Sequence, residues 1–224
     1  MLVKDCMTRH PVMVEPEILL PEARKVMVEN EVGHIPVVDE GKRLMGLITR
    51  SHFAMSLDQM DSLDVWEISS KLISLKAKNV MIKKRQVVAI SPDATVEQAA
   101  RLLVQNEISA MPVVEDDIVI GMITTIDLLR SYQEMLGMPS PGIRVTVRMP
   151  ARKKNYSELA KLVSAIGEMN WGVIGIGTFP TPNLPEFYDA VVKIPGVTIE
   201  EVRNVIEKIP NQVVIDIREA GQIT

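Results

Sequence analysis

Apolar and polar positions fall into short runs of two kinds along this chain. Val87-Val88-Ala89-Ile90 is short and rich in β-branched residues, which predicts a buried strand. Ser91-Pro92-Asp93 then predicts a turn. Beyond it Val96, Ala99, Ala100 and Leu103 follow helical spacing, and Thr95 with Gln98 three residues on has the sequence of a capping box. Pro112-Val113-Val114 predicts a second strand. The acidic turn Glu115-Asp116-Asp117 leads to a third, Ile118 to Ile123, and another helix starts near Thr124.

The same order occurs earlier in the chain, between Met7 and Phe53. His34-Ile35-Pro36-Val37-Val38-Asp39 matches Ala110-Met111-Pro112-Val113-Val114-Glu115, and Gly46-Leu47-Ile48-Thr49 matches Gly121-Met122-Ile123-Thr124. Pro16 matches Pro92 and Ala23 matches Ala99. One β-α-β-β-α unit leaves an apolar face open, and two stacked units cover it. Between the copies, Asp58 to Leu75 predicts a connecting helix with Val65, Ile68, Leu72 and Ile73 apolar and Trp66 as a packing residue.

The pattern changes after Met138-Pro139-Ser140-Pro141-Gly142, a dense cluster of chain breakers. Ile143, Val145, Val147 and Met149 alternate with polar residues, as in a half-buried strand. Leu159, Leu162, Val163 and Ile166 give one helix face. Val173 to Phe179 and Tyr188 to Ile194 are predicted strands. Thr198 with Glu201 opens a second helix with Ile199, Val202 and Ile206 inward, and Val213 to Ile217 is the last strand. The order β-α-β-β-α-β is the ferredoxin-like arrangement. The fold class read from the pattern is therefore α/β (α+β): two stacked β-α-β-β-α motifs and a ferredoxin-like βαββαβ domain.

Composition narrows the function classes. The 224 residues are 46% hydrophobic and only 4% aromatic, with 14 methionines, so the core is aliphatic. The net charge of −4 is not that of a dedicated nucleic-acid binder. One cysteine, Cys6, cannot form a disulfide within the chain, and no apolar run approaches a membrane span or a secretion signal. The sequence reads as a soluble cytoplasmic protein with neither nucleic acid nor membrane as partner.

The repeated x-x-Pro-Val-Val-Asp, turn, Gly-Leu-Ile-Thr pattern resembles the CBS motif, and two in tandem resemble a CBS pair, or Bateman module. The resemblance places motif 1 with its connecting helix at 1–75, motif 2 at 76–138 and a linker at 139–142. Residues 143–224 resemble an ACT domain. They differ from amino-acid-binding ACT domains in the loop Ala151-Arg152-Lys153-Lys154-Asn155-Tyr156-Ser157, which lacks the usual glycine. The whole order resembles proteins of the acetoin-utilisation type. The resemblance implies a non-enzymatic regulatory protein whose ligand is an adenosine nucleotide (AMP, ADP or ATP) or S-adenosylmethionine. It requires no cofactor, and it implies a homodimer and an unidentified regulated protein. A module without ligand, and an amino-acid sensor working through the ACT-like part, are the alternatives.

By the same resemblance, Asp127 accepts hydrogen bonds from ribose hydroxyls and Thr124 donates to a phosphate. Ala89, Ala110, Met111 and Pro112 form the adenine wall. Thr124-x-x-Asp127 also reads as a plain helix cap, and the two roles are compatible. The first copy carries His52 where Asp127 stands, so His34, Pro36, Thr49, Arg50 and His52 outline a second cleft that is either empty or takes another part of a ligand. No enzyme signature is present: there is no phosphate loop, and the histidines at 10, 34 and 52 lack metalloprotease spacing.

Overall fold

The structure, a computed structural model, describes residues 1–53, 74–151 and 157–221. These form two units, Met1–Leu129 and Arg130–Thr224. The connecting helix predicted over 58–75 lies outside the described residues up to position 73, Trp66 included, as does the loop 152–156.

In the first unit each repeat supplies one helix and one hairpin. They are α2 (Leu20–Glu29) with β2 (His34–Val38) and β3 (Leu44–Thr49), then α4 (Val96–Gln105) with β5 (Ala110–Glu115) and β6 (Ile118–Thr124). Both hairpins are antiparallel, and both are bulged between the first and second residues after proline, between Val37 and Val38 and between Val113 and Val114. The predicted capping box of α4 forms, with the Gln98 N–H donating to Thr95 Oγ1 at 3.2 Å and the Thr95 N–H to Gln98 Oε1 at 2.9 Å.

The third strand of each sheet comes from elsewhere in the chain. The first repeat's sheet is completed by β4 (Ile82–Lys83), which follows the one-turn helix α3 (Ala77–Val80). The second repeat's sheet is completed by the amino-terminal β1 (Thr8–Arg9), which follows α1 (Val3–Cys6). Glycine makes both approaches possible. A Cβ on Gly46 would lie 2.5 Å from the Ile82 carbonyl oxygen and from Met81 Sδ, and one on Gly121 would lie 2.5 Å from Met7 Sδ.

The strand predicted over 87–90 is instead an extended stretch that meets its sheet at one point. The Ile90 N–H donates to Pro112 O at 3.0 Å and the Val114 N–H to Ile90 O at 2.9 Å. The next rung would need an N–H on Pro112, which has none, so the ladder stops. Val14 meets Pro36 and Val38 in the same way, at 3.1 and 2.9 Å.

Each repeat has its own core: Val3, Ala99, Met111 and Ile123 in one, Ala23, Met27, Ile35 and Ile48 in the other. Between the repeats Val38, Leu44 and Val119 pack together, as do Leu47, Ala110 and Met122.

The second unit has the element order β7 (Gly142–Pro150), α6 (Ser157–Glu168), β8 (Gly175–Pro180), β9 (Phe187–Ile194), α7 (Ile199–Ile206) and β10 (Val213–Ala220). The sheet order is β10-β7-β9-β8, all antiparallel, which is the ferredoxin-like arrangement the sequence predicts. Alternate residues Ile143, Val145, Val147 and Met149 meet Leu162, Ile166, Val202 and Ile206 in one core. Val163, predicted inward, is 44% exposed, so the buried face of α6 is narrower than expected. A further helix, α5 (Thr125–Met135), contains the division between the units. Among the described residues no helix is long and apolar enough to cross a membrane.

Candidate ligand-binding cleft

The hairpins of both repeats open onto one cavity of about 940 Å³ in the first unit. That volume is within the range of small-molecule sites. Its apolar floor includes Leu47, Ile82, Ala110 and Met122. Its polar rim includes His34, Thr49 and Arg50 from the first repeat, and Ser109, Thr124 and Thr125 from the second.

Strand alternation decides which predicted wall residues reach the cavity. Ala110 does. Met111 points to the other face of β5 and is wholly buried in the second repeat's core. Pro112 and Pro36 are buried on their strands, and Ala89 is exposed; none of the three lines the cavity.

The two repeats present matching ends to it. His34 stands opposite Thr49, and Ala110 opposite Thr124. The Arg50 N–H donates to Gly33 O at 3.1 Å, as the Thr125 N–H does to Ser109 O at 3.0 Å. His34 Nε2 and Ser109 Oγ, 3.4 Å apart, connect the repeats. Burial holds the His34 imidazole below its usual pKa, and the Arg50 guanidinium adds to the effect. His34 is therefore neutral near pH 7 and able both to donate and to accept.

Asp127 is engaged as a cap. Its Oδ2 accepts from the Thr124 N–H at 2.8 Å and from Thr124 Oγ1 at 2.7 Å. His52 performs the same task in the first repeat, with Nδ1 accepting from the Thr49 N–H at 3.1 Å. Thr49 Oγ1 lies 2.9 Å from the same Nδ1. Neither Asp127 nor His52 lines the cavity; their threonine partners do.

Sequence reasoning missed His10-Pro11-Val12 and the paired loops Asn30–Gly33 and Glu107–Ser109, all of which reach the cavity. A signal for the loops was present. Asn30-Glu31-Val32 repeats as Asn106-Glu107-Ile108, and each copy ends its helix identically. The asparagine amide donates back to a helix carbonyl at 2.8 Å, and the glutamate has φ 53° in both. Among the described residues no group of three or more His, Cys, Asp or Glu side chains could hold a metal ion.

The CBS domain family model matches residues 3–58 and 77–134, just over half of the chain. The chain belongs to the CBS domain family. Both matches begin where α1 and α3 begin, so each CBS motif includes the one-turn helix and short strand that complete the other sequence copy's hairpin. Among solved structures, a protein assigned to acetoin utilization, AcuB of Vibrio cholerae, is 26% identical, with 58% of this chain and 89% of that one covered at a TM-score of 0.50. The CBS domain pair of protein MJ0100, in complex with 5′-methylthioadenosine and S-adenosyl-L-methionine, is 28% identical over 59% of this chain and 95% of that one, also at 0.50. A homoserine O-acetyltransferase of Methanohalobium evestigatum is 35% identical over 134 residues, 59% of this chain and 24% of its own length. The chain thus spans about a quarter of the length of such relatives.

Proposed function

We propose that the chain is a regulatory sensor, not an enzyme, whose CBS pair binds an adenosine-containing ligand in the cavity between its repeats. The 143–224 segment is then an ACT-like domain that assembles a homodimer and passes the signal on. The observation that carries this reading is the 940 Å³ cavity lined by equivalent strand ends of both repeats. The ligands of the MJ0100 pair support it.

In this reading adenine lies on Leu47, Ala110 and Met122. The Thr124 hydroxyl gives its one proton to Asp127 and donates to an anionic part of the ligand once Asp127 releases it; until then it only accepts. Arg50 is the cation available to a phosphate or carboxylate, and neutral His34 can hydrogen-bond on either side. Asp127 acts through Thr124, fixing its hydroxyl, and turns to a ribose only by giving up the cap. Giving up that cap costs about 1 kcal/mol. Ligand binding shifts the repeats' relative orientation only as far as the two orientations differ in affinity.

Calorimetric titration of the whole chain with AMP, ADP, ATP, S-adenosylmethionine and 5′-methylthioadenosine tests this. One ligand per chain is expected. Thr124→Val should weaken phosphorylated ligands about tenfold, the loss of one hydrogen bond to a charged group, and adenosine less. Absence of binding by all five would overturn the reading.

A further inference from the structure

The face of the second unit's sheet turned away from its helices buries a lysine without an acidic partner. Lys193 sits on β9 between Val192 and Ile194, whose side chains enter the core; its own side chain takes the opposite face. It is 2% exposed. Its ammonium donates to Gly137 O at 3.0 Å and meets Met138 Sδ at 3.4 Å. A thioether is a weak acceptor, so three N–H donors share one good partner. Among the described residues no carboxylate pairs with it. Burial alone pushes its pKa down. An isolated buried ammonium is costly and calls for an anion.

A cavity of about 390 Å³ adjoins this lysine. Arg144, the cross-strand partner of Lys193, lines it as well. One amino group of Arg144 is bonded to Asp216 and to Thr146, each at 3.1 Å, and Asp216 is also gripped by Arg218. The remaining charged pair on that face, Arg148 with Asp189, is closed on itself at 2.9 and 3.0 Å. The local balance around the cavity is therefore cationic. The rest of the lining is largely apolar, with Leu136, Met138, Phe179 and Val191, and it includes no acidic residue.

We propose that this cavity is a binding site for a small carboxylate with an apolar body, its carboxylate on Lys193 and Arg144 and its carbon chain against Leu136, Met138 and Phe179. The volume is at the small end of ligand sites, which suits a short branched acid. The lining also separates close relatives of such a ligand. An amino acid of the same skeleton brings an α-ammonium that meets two cations and no carboxylate. Inorganic phosphate leaves the apolar wall without a partner. The site is independent of the adenosine cleft, and neither proposal depends on the other.

Titration calorimetry of the whole chain with 4-methylpentanoate, its neutral amide, leucine and inorganic phosphate tests the proposal. The carboxylate should bind, with the other three about tenfold weaker or more. Lys193→Met keeps the buried stem and removes the charge; it should cost about tenfold in carboxylate affinity without lowering the melting temperature. Arg144→Gln should weaken binding less, and serves if the Lys193 variant fails to fold. Titration at alkaline pH in buffers of different ionisation enthalpy should show proton uptake, because an anion restores the charge on the lysine. Carboxylate and amide binding equally, tighter binding of phosphate or leucine, unchanged affinity in Lys193→Met, or no carboxylate binding at about 10 mM would each overturn the proposal.

Discussion

Pro36 and Pro112 end two parallel ladders at the same rung, and Gly46 and Gly121 admit two neighbouring backbones at the same place. These four residues were visible in the sequence as a repeat, but not their reason. In the sequence the proline is simply one position of a strand pattern, whereas in the fold its missing N–H keeps Val87–Ala89 out of the sheet. The glycines make a prediction of unequal cost. The Cβ of Gly46→Ala meets the Ile82 carbonyl oxygen at 2.5 Å, whereas in Gly121→Ala the near atom is the flexible end of Met7, with Thr8 O at 3.0 Å. Urea unfolding should show Gly46→Ala destabilised by about 3 kcal/mol and Gly121→Ala by about 1 kcal/mol. Equal costs would mean that the backbone approach is looser than described.

Among the elements, helices α2, α4, α6 and α7 and the two hairpins were legible because they carry strong periodicity, and the capping boxes at Thr95 and Thr198 form as read. The two-residue strands β1 and β4 were not legible. Nothing local in Thr8–Arg9 says which sheet it will complete, since that depends on Gly121, more than a hundred residues away. The terminal helix α1 is accordingly structural. Val3 is wholly buried against the second repeat's core, and its N–H donates to Ala94 O at 2.8 Å. Val3→Ala should cost about 2 kcal/mol in denaturant unfolding; a frayed end would lose nothing.

In the second unit, the fork from Arg148 holds the Asp189 carboxyl below the usual aspartate range, helped by the Thr181 hydroxyl at 3.0 Å. A depressed folded pKa contributes stability above the unfolded value of about 3.9, and this is lost as pH falls through the folded value. The stability gap between wild type and Asp189→Asn should therefore be full at pH 7 and shrink below about pH 4. A gap independent of pH would mean that the ion pair is not its source.

At the scale of the whole molecule, the candidate site was legible in part. Thr124, Ala110, His34, Thr49 and Arg50 all line the same cavity. Asp127 and His52 carry the contrast between the copies in the sequence, and each accepts from the N–H of the threonine three residues earlier. The homodimer follows from the ACT-like reading, and light scattering at micromolar concentration should give twice the chain's mass of 24.9 kDa; a monomer would count against it. The central claim concerns where an adenosine ligand binds, and hydrogen exchange read by mass spectrometry on the whole chain with and without saturating S-adenosylmethionine or AMP reports that location directly. A ligand in the cavity should slow exchange in peptides covering 8–12, 30–34, 107–111 and 122–126 and leave 142–150 and 187–194 unchanged. Protection confined to the second unit, or no protection with either ligand, would contradict it.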